Sequence, residues 1–159
     1  MLHREYPNKG AHTTETYDPV AKLNELIKGI EFATLTTIRP DGSLHSCPMT
    51  TAEVHSDAAL WFFSGNKSEK VEAIKSDRRV NLAYADAGSQ RYVSITGNAE
   101  PVRDHVRAKE LWSPVYEKWF PKGIEDPNLI LLRIQVRDAE YWDASAGRMV
   151  QLTGFAGRL

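Results

Sequence analysis

The residue pair that most limits what this chain can fold into is Asp41-Gly42. It lies between EFATLTTI (31–38), rich in threonine and β-branched residues, and a second strand-like run from Leu44 to about Ala52. Asp-Gly between two such runs favours a tight reversal, because the central residues of that turn need positive φ. The two runs are expected to pair as an antiparallel hairpin. The same punctuation recurs. Val54-His55-Ser56-Asp57 turns into Ala59–Phe63, and Ala87-Gly88-Ser89 separates a strand at Val80–Tyr84 from another at Arg91–Glu100. Further on, LILLRIQVRD alternates, with Ile130, Leu132, Ile134 and Val136 on one face and Arg133, Gln135 and Arg137 on the other. Ala139–Trp142 extends that strand after a bend, and the tail from Ala144 to Leu159 gives no clear pattern. Short connections favour antiparallel neighbours. Six or seven strands in mostly hairpin order predict a mainly β fold with flanking helices, closed into a small barrel that removes exposed edges.

Three helices complete the outline. Asp18-Pro19 reads as an N-cap followed by proline at the first helical position. Val20, Leu23, Leu26, Ile27 and Ile30 recur at helical spacing, so a helix is expected over about 18–29, stopped by Gly29. A second follows Ser68. A third spans Arg103 to about Trp119, with Val106, Leu111, Val115 and Trp119 as packing residues and a break or kink at Pro114. Residues 1–17 carry little periodic apolar signal and read as a polar arm, leaving one domain over 18–159.

Composition narrows the function classes. The chain has 159 residues, 42% hydrophobic and 26% charged, and a formal net charge of −1. That balance argues against general nucleic-acid or membrane-surface binding, which draws on a basic excess. A single cysteine, Cys47, permits no internal disulfide. Together with an N-terminus that has no apolar leader segment, it predicts a cytoplasmic protein. His45 and Cys47 share a strand face, but two ligands fall short of a closed zinc site, and Cys47 reads more simply as a small buried residue. Ser145, in Ala144-Ser145-Ala146-Gly147, only faintly resembles a nucleophile elbow.

One stretch carries stronger chemistry. FFSGNKSEKVEAIKS (62–76) passes from an apolar strand through Ser64-Gly65-Asn66-Lys67 into a helix capped by Ser68. Val71 and Ile74 are expected to pack inward, with Glu69, Ala73 and Ser76 on the polar side. The simplest account is a turn and a cap. The alternative is an anion pocket: free N–H groups at the helix start, hydroxyls from Ser64 and Ser68, and the charges of Lys67 and Lys70. Lysines at a helix N-terminus oppose the dipole unless an anion lies between them. Trp142, in Tyr141-Trp142-Asp143, is a second such position, read either as core packing or as a platform for a flat ligand.

The order of these pieces is similar to that of a known family. It runs from a helix to a T-L-x-T-x-x-P-D-G-S hairpin, a Pro-Met-Thr strand and a Trp-Phe-Phe strand. A lysine-containing turn and helix follow, then DRRVNLAYAD, Tyr92-Val93-Ser94-Ile95-Thr96-Gly97 and a closing Tyr-Trp-Asp strand. Over about residues 18–152 this resembles the general stress branch of the pyridoxamine 5'-phosphate oxidase-like superfamily. The resemblance implies a six-stranded antiparallel split β-barrel and a homodimer with two flavin mononucleotide (FMN) sites at the subunit interface. It implies that His45, Ser46, Cys47, Pro48, Met49 and Thr50 lie along the flavin ring, with Phe63 and Ser64 as the next contacts. Lys67, Ser68 and Lys70 would hold the phosphate. Tyr92 falls where vitamin-forming oxidases carry a flavin-contacting glutamine, and Trp142 matches a tryptophan reaching the flavin from the second subunit.

The departures from that pattern bear on activity. The oxidases use an Arg-Lys pair at the phosphate turn, where this chain has Glu69-Lys70. They place a substrate-binding lysine where this chain has Thr50, and their C-terminal Arg-x-His reads Arg148-Met149-Val150. The expected function is therefore a general stress-type FMN protein, an FMN-dependent oxidoreductase of unassigned substrate, and not a vitamin B6 oxidase. A non-catalytic flavin store or sensor, or a split barrel holding deazaflavin or haem, are the alternatives. No catalytic residue stands out, and His45 is the best acid–base candidate.

Overall fold

The computed structural model describes residues 18–155. The expected arm at 1–17 and the last four residues lie outside them. Helix α1 (Pro19–Ile27) starts as the sequence dictates: Asp18 accepts from the Val20 N–H at 3.0 Å and proline sits in the first turn. Gly29, at φ +80°, takes the left-handed turn that ends it. Strands β1 (Ala33–Ile38) and β2 (Leu44–Met49) form the Asp-Gly hairpin, pairing Ala33 with Met49 through to Ile38 with Leu44. Then come β3 (Thr51–Val54), β4 (Ala59–Gly65), α2 (Glu69–Ser76), β5 (Arg79–Asp86) and β6 (Arg91–Val102). A short α3 (His105–Leu111) and two 3₁₀ turns lead to the long β7 (Leu129–Asp143) and to β8 (Arg148–Leu152).

These eight described strands form a single antiparallel sheet in the order β2-β1-β5-β6-β7-β4-β3, with β8 also on β7. The sheet curls into a half-barrel. Its two ends, β2 and β3, follow one another through Thr50 but share no ladder among the described residues. Pro48 suits the β2 edge, since it has no N–H to offer a further strand. The count exceeds the expected six because the return strand breaks at Thr50 and because the tail, unpatterned in sequence, supplies β8. β7 makes room for β8 by changing partners along one edge. Leu129–Gln135 pair with β4, and Ala139–Asp143 pair with β8.

The core lies inside the curl. Leu23, Leu35, Leu60, Phe62, Val71, Ile74, Leu82, Ile95, Leu132 and Ile134 are fully enclosed there. The opposite face of β4 carries Ala59, Trp61 and Phe63 into a second cluster with Leu131, covered by Ala108, Trp112 and Tyr116. β4 is thus buried on both sides, which explains its unbroken apolar run. The expected long third helix is corrected: α3 stops at Leu111, and Pro114 opens a 3₁₀ turn (Pro114–Lys118). Changing period moves the buried face. Leu111 packs as expected, but Val106, Val115 and Trp119 are exposed, and Ala108, Trp112 and Tyr116 pack instead. Val71 and Ile74 face inward as expected, while Ala73 is buried rather than polar-facing. Among the described residues no helix is long and apolar enough to cross a membrane.

One buried polar contact has a measurable signature. Tyr84, enclosed in the core, shares a hydrogen bond with the Thr51 hydroxyl and so ties β5 to the start of β3. Burial pushes the Tyr84 phenol up to about 12 from its usual 10, against the smaller opposing effect of that bond. The unfolded chain then releases this proton first. Between pH 10 and 12 the native state holds more protons, and stability falls by up to about 1.4 kcal/mol per pH unit. Tyr84→Phe is expected to cost about 1 kcal/mol at neutral pH and to flatten that decline, measured by urea unfolding at pH 8 and pH 11.

Candidate functional site

β4 delivers the first part of the site. Its alternation sends Leu60, Phe62 and Ser64 toward the core side. Ser64 is buried, and its hydroxyl lies 3.3 Å from that of Ser68. Ser68 occupies the N-cap of α2 with an extended backbone (φ −68°, ψ 152°), yet its hydroxyl makes no capping bond. The expected cap is present in place and absent in hydrogen bonding, because the Ser68 side chain turns toward Ser64. The first-turn N–H groups of α2 therefore receive no acceptor from it, and two hydroxyls face one another beside them. Lys67 and Lys70 flank this point, the first exposed and the second half-buried. Asn128 holds the turn from the start of β7. Its carbonyl oxygen accepts from the Asn66 N–H at 2.7 Å, and its side-chain oxygen accepts from the Lys67 N–H at 3.4 Å. No local sequence signal marks Asn128, which is 61 residues away from Lys67.

β2 delivers the second part. His45 and Cys47 lie on its inward side, and Cys47 packs against the core. Among the described residues the buried His45 Nδ1 has no hydrogen-bond partner, while its Nε2 lies 3.9 Å from a Glu69 carboxylate oxygen. A buried ring nitrogen without a partner is costly and calls for a polar group that the described residues do not supply. Burial raises the Cys47 thiol; nearby Lys70 lowers it and Glu69 raises it. The thiol is thus held protonated, which makes it a poor nucleophile. Ser46 and Pro48 lie on the reverse face, where the Ser46 and Thr36 hydroxyls are 2.7 Å apart. Met49 is buried in the core, and Thr50 forms the link to β3.

Glu69, the residue that departs from the Arg-Lys pattern, does not stand among the lysines unaccompanied. Its carboxylate accepts from the Arg39 Nε at 2.5 Å. That bond holds the Glu69 carboxyl below its usual range, with further help from the charges of Arg39 and His45. Arg39 comes from the β1–β2 turn, 30 residues away in sequence, and the sequence reading missed it.

Three expected residues lie elsewhere. The Phe63 ring sits in the second cluster, at 5.4 Å from Trp112 and 4.7 Å from Tyr116 between ring centroids, so only its backbone adjoins Ser64. Tyr92 is 40% exposed on the outer face of β6. Trp142 is half-buried and belongs to neither core cluster. Tyr141 points inward, and so Trp142 shares the outer face with Tyr92. One chain therefore gathers His45, Cys47, Ser64, Lys67, Ser68 and Lys70 around the start of α2, and carries Tyr92 and Trp142 on another face.

This curled sheet is that of a recognised class. The sequence pattern of the family described as pyridoxamine 5'-phosphate oxidase like matches residues 18–158. The chain belongs to that family, on the branch of general stress protein 26. It is 27% identical over 134 residues to general stress protein 26 of Bacillus subtilis, covering 82% of this chain and 93% of that protein. It is 24% identical to protein bli-3 of Neurospora crassa over 76% of this chain, and the match spans only 64% of bli-3. Among solved structures, a Clostridium acetobutylicum protein related to general stress protein 26 superposes with a TM-score of 0.75. The two share 18% identity, over 88% of this chain and 96% of that one. The general stress FMN/FAD binding protein of Xanthomonas citri superposes with a TM-score of 0.66 at 28% identity, over 84% of this chain and 92% of that one.

Proposed function

We propose that this chain binds FMN as a homodimer and acts as an FMN-dependent oxidoreductase of unassigned substrate. The observation that carries the reading is the convergence at the start of α2. Paired hydroxyls, two lysines and uncapped N–H groups suit a phosphate monoester, and beside them lies a buried His45 nitrogen that has no partner among the described residues. The residues present therefore fit the cofactor. Ser64, Lys67, Ser68 and Lys70 would hold its phosphate, and His45 to Thr50 would line the ring. The 28% identity to an FMN/FAD binding protein supports the same group. A bound flavin would supply the electron-transfer chemistry. The chain would bind it, orient it and shield one side from water, with His45 as the group able to exchange a proton there. A single cysteine suits a reducing, cytoplasmic setting.

The placement of the aromatic residues supports the dimer. Tyr92 and Trp142 lie on the outer face, away from the phosphate turn of their own chain, where Trp142 would be available to the ring held by a second copy. Trp142→Ala is expected to weaken FMN and riboflavin alike, by about tenfold, the effect of removing a stacked aromatic. Sedimentation should give a dimer. A monomer that binds FMN with full affinity would overturn this part.

A non-catalytic flavin store or sensor is the second reading, since binding the cofactor at the α2 turn asks for no acid–base group beyond His45. Stopped-flow reduction of the FMN-loaded protein by a nicotinamide cofactor separates the two. Reduction with turnover on an added acceptor supports the enzyme. No reduction over hours supports the store.

A further inference from the structure

We propose that Arg39 is a third phosphate-binding cation of this site and that Glu69 is the residue that positions it. The inference rests on the FMN reading above and adds two residues to it. A carboxylate between Lys67 and Lys70 would by itself repel the phosphate. The geometry gives Glu69 another task. Its carboxylate is directed to the Arg39 Nε at 2.5 Å, with His45 Nε2 on its other oxygen at 3.9 Å.

Arg39 reaches Glu69 from a firmly built turn. Its N–H donates to the Ser43 carbonyl at 2.8 Å, and its own carbonyl accepts from the Gly42 N–H at 2.8 Å. Asp41 accepts from both the Ser43 N–H and its hydroxyl, at 2.9 and 2.6 Å. The guanidinium therefore leaves a fixed backbone. Only Nε is engaged by Glu69; the two terminal nitrogens have no hydrogen-bond partner among the described residues. A guanidinium held by Nε still presents its terminal fork, the part that grips phosphate oxygens in pairs. The charges agree. Arg39, Lys67 and Lys70 against Glu69 leave two positive charges for a phosphate monoester dianion. The pair is partly exposed, at 35% and 57% of the two side chains, so it contributes little to folding and can be removed without unfolding the chain.

The proposal makes a prediction of sign that charge counting alone does not. Glu69→Ala removes a negative charge beside the phosphate, yet it should weaken FMN by several-fold, because Arg39 loses its anchor. In an Arg39→Ala background the carboxylate only repels, so there Glu69→Ala should tighten FMN. Arg39→Ala alone should weaken FMN roughly tenfold, as expected for one charge-assisted contact, and leave riboflavin within twofold. The experiment is fluorescence titration of the full chain and these three variants with FMN and with riboflavin, melting curves confirming that each folds. Lys70→Ala is the control. If it fails to weaken FMN selectively, the phosphate reading itself is wrong and this inference falls with it. If Lys70→Ala is selective but Arg39→Ala changes nothing, or Glu69→Ala tightens FMN in the native background, the Arg39–Glu69 assignment alone is overturned.

Discussion

Gly97→Ala is expected to destabilise the fold by about 2–4 kcal/mol, the range of a steric insertion that the backbone must absorb. Gly97 lies in β6 where the ladder to β7 slips. Thr96 pairs with Asp138 and Gly97 with Val136, so Arg137 is passed over. At this bulge the two backbones come close. A Cβ on Gly97 would stand 2.4 Å from the Gln135 carbonyl oxygen and 3.1 Å from the Ile134 Cγ2. A carbonyl within a ladder cannot swing aside as a long side chain can. The neighbouring Gln135 side chain is fixed as well, its amide donating to the Asp57 carbonyl at 2.9 Å. Urea unfolding should show a lower midpoint with little change in slope. A loss under 0.5 kcal/mol would mean that the ladder relaxes there and that the bulge is not the constraint described.

The double variant Lys67→Ala/Lys70→Ala is expected to weaken FMN by roughly a hundredfold, from the loss of two charge-assisted contacts of at least about 1.4 kcal/mol each. Riboflavin, which lacks the phosphate, should bind within about threefold of its affinity for the unaltered chain. Raising the ionic strength should shrink the FMN difference, since Lys67 is exposed and screened by salt. Equal weakening of both ligands would show that the lysines support the turn and do not meet an anion.

Much of this was legible in the sequence, for local reasons. The Asp41-Gly42 turn, the alternation of β7 and the Asp18-Pro19 start are written in neighbouring residues, and each forms where expected. The turn that gathers Ser64, Lys67, Ser68 and Lys70 was legible as well, since those residues are close in sequence. What escaped depends on distance along the chain. Arg39 meets Glu69, and Asn128 meets the Asn66-Lys67 backbone, only after the sheet has curled. β8 escaped because an edge strand against half of β7 needs little apolar signal of its own. The third helix was misread because helical spacing persists across Pro114, while the chain there changes to a 3₁₀ turn and rotates Val115 and Trp119 outward. Glu69 looked like a lost cation in sequence and is a carboxylate engaged by Arg39 in the fold.

The most direct test of the central claim is the visible absorption spectrum of the full chain, freed of excess ligand after mixing with FMN. Binding at the α2 turn predicts a yellow protein retaining about one flavin per chain, with bands shifted from those of free FMN by the ring's new surroundings. A colourless protein that retains no FMN, or one that takes up haem or deazaflavin in its place, would contradict it.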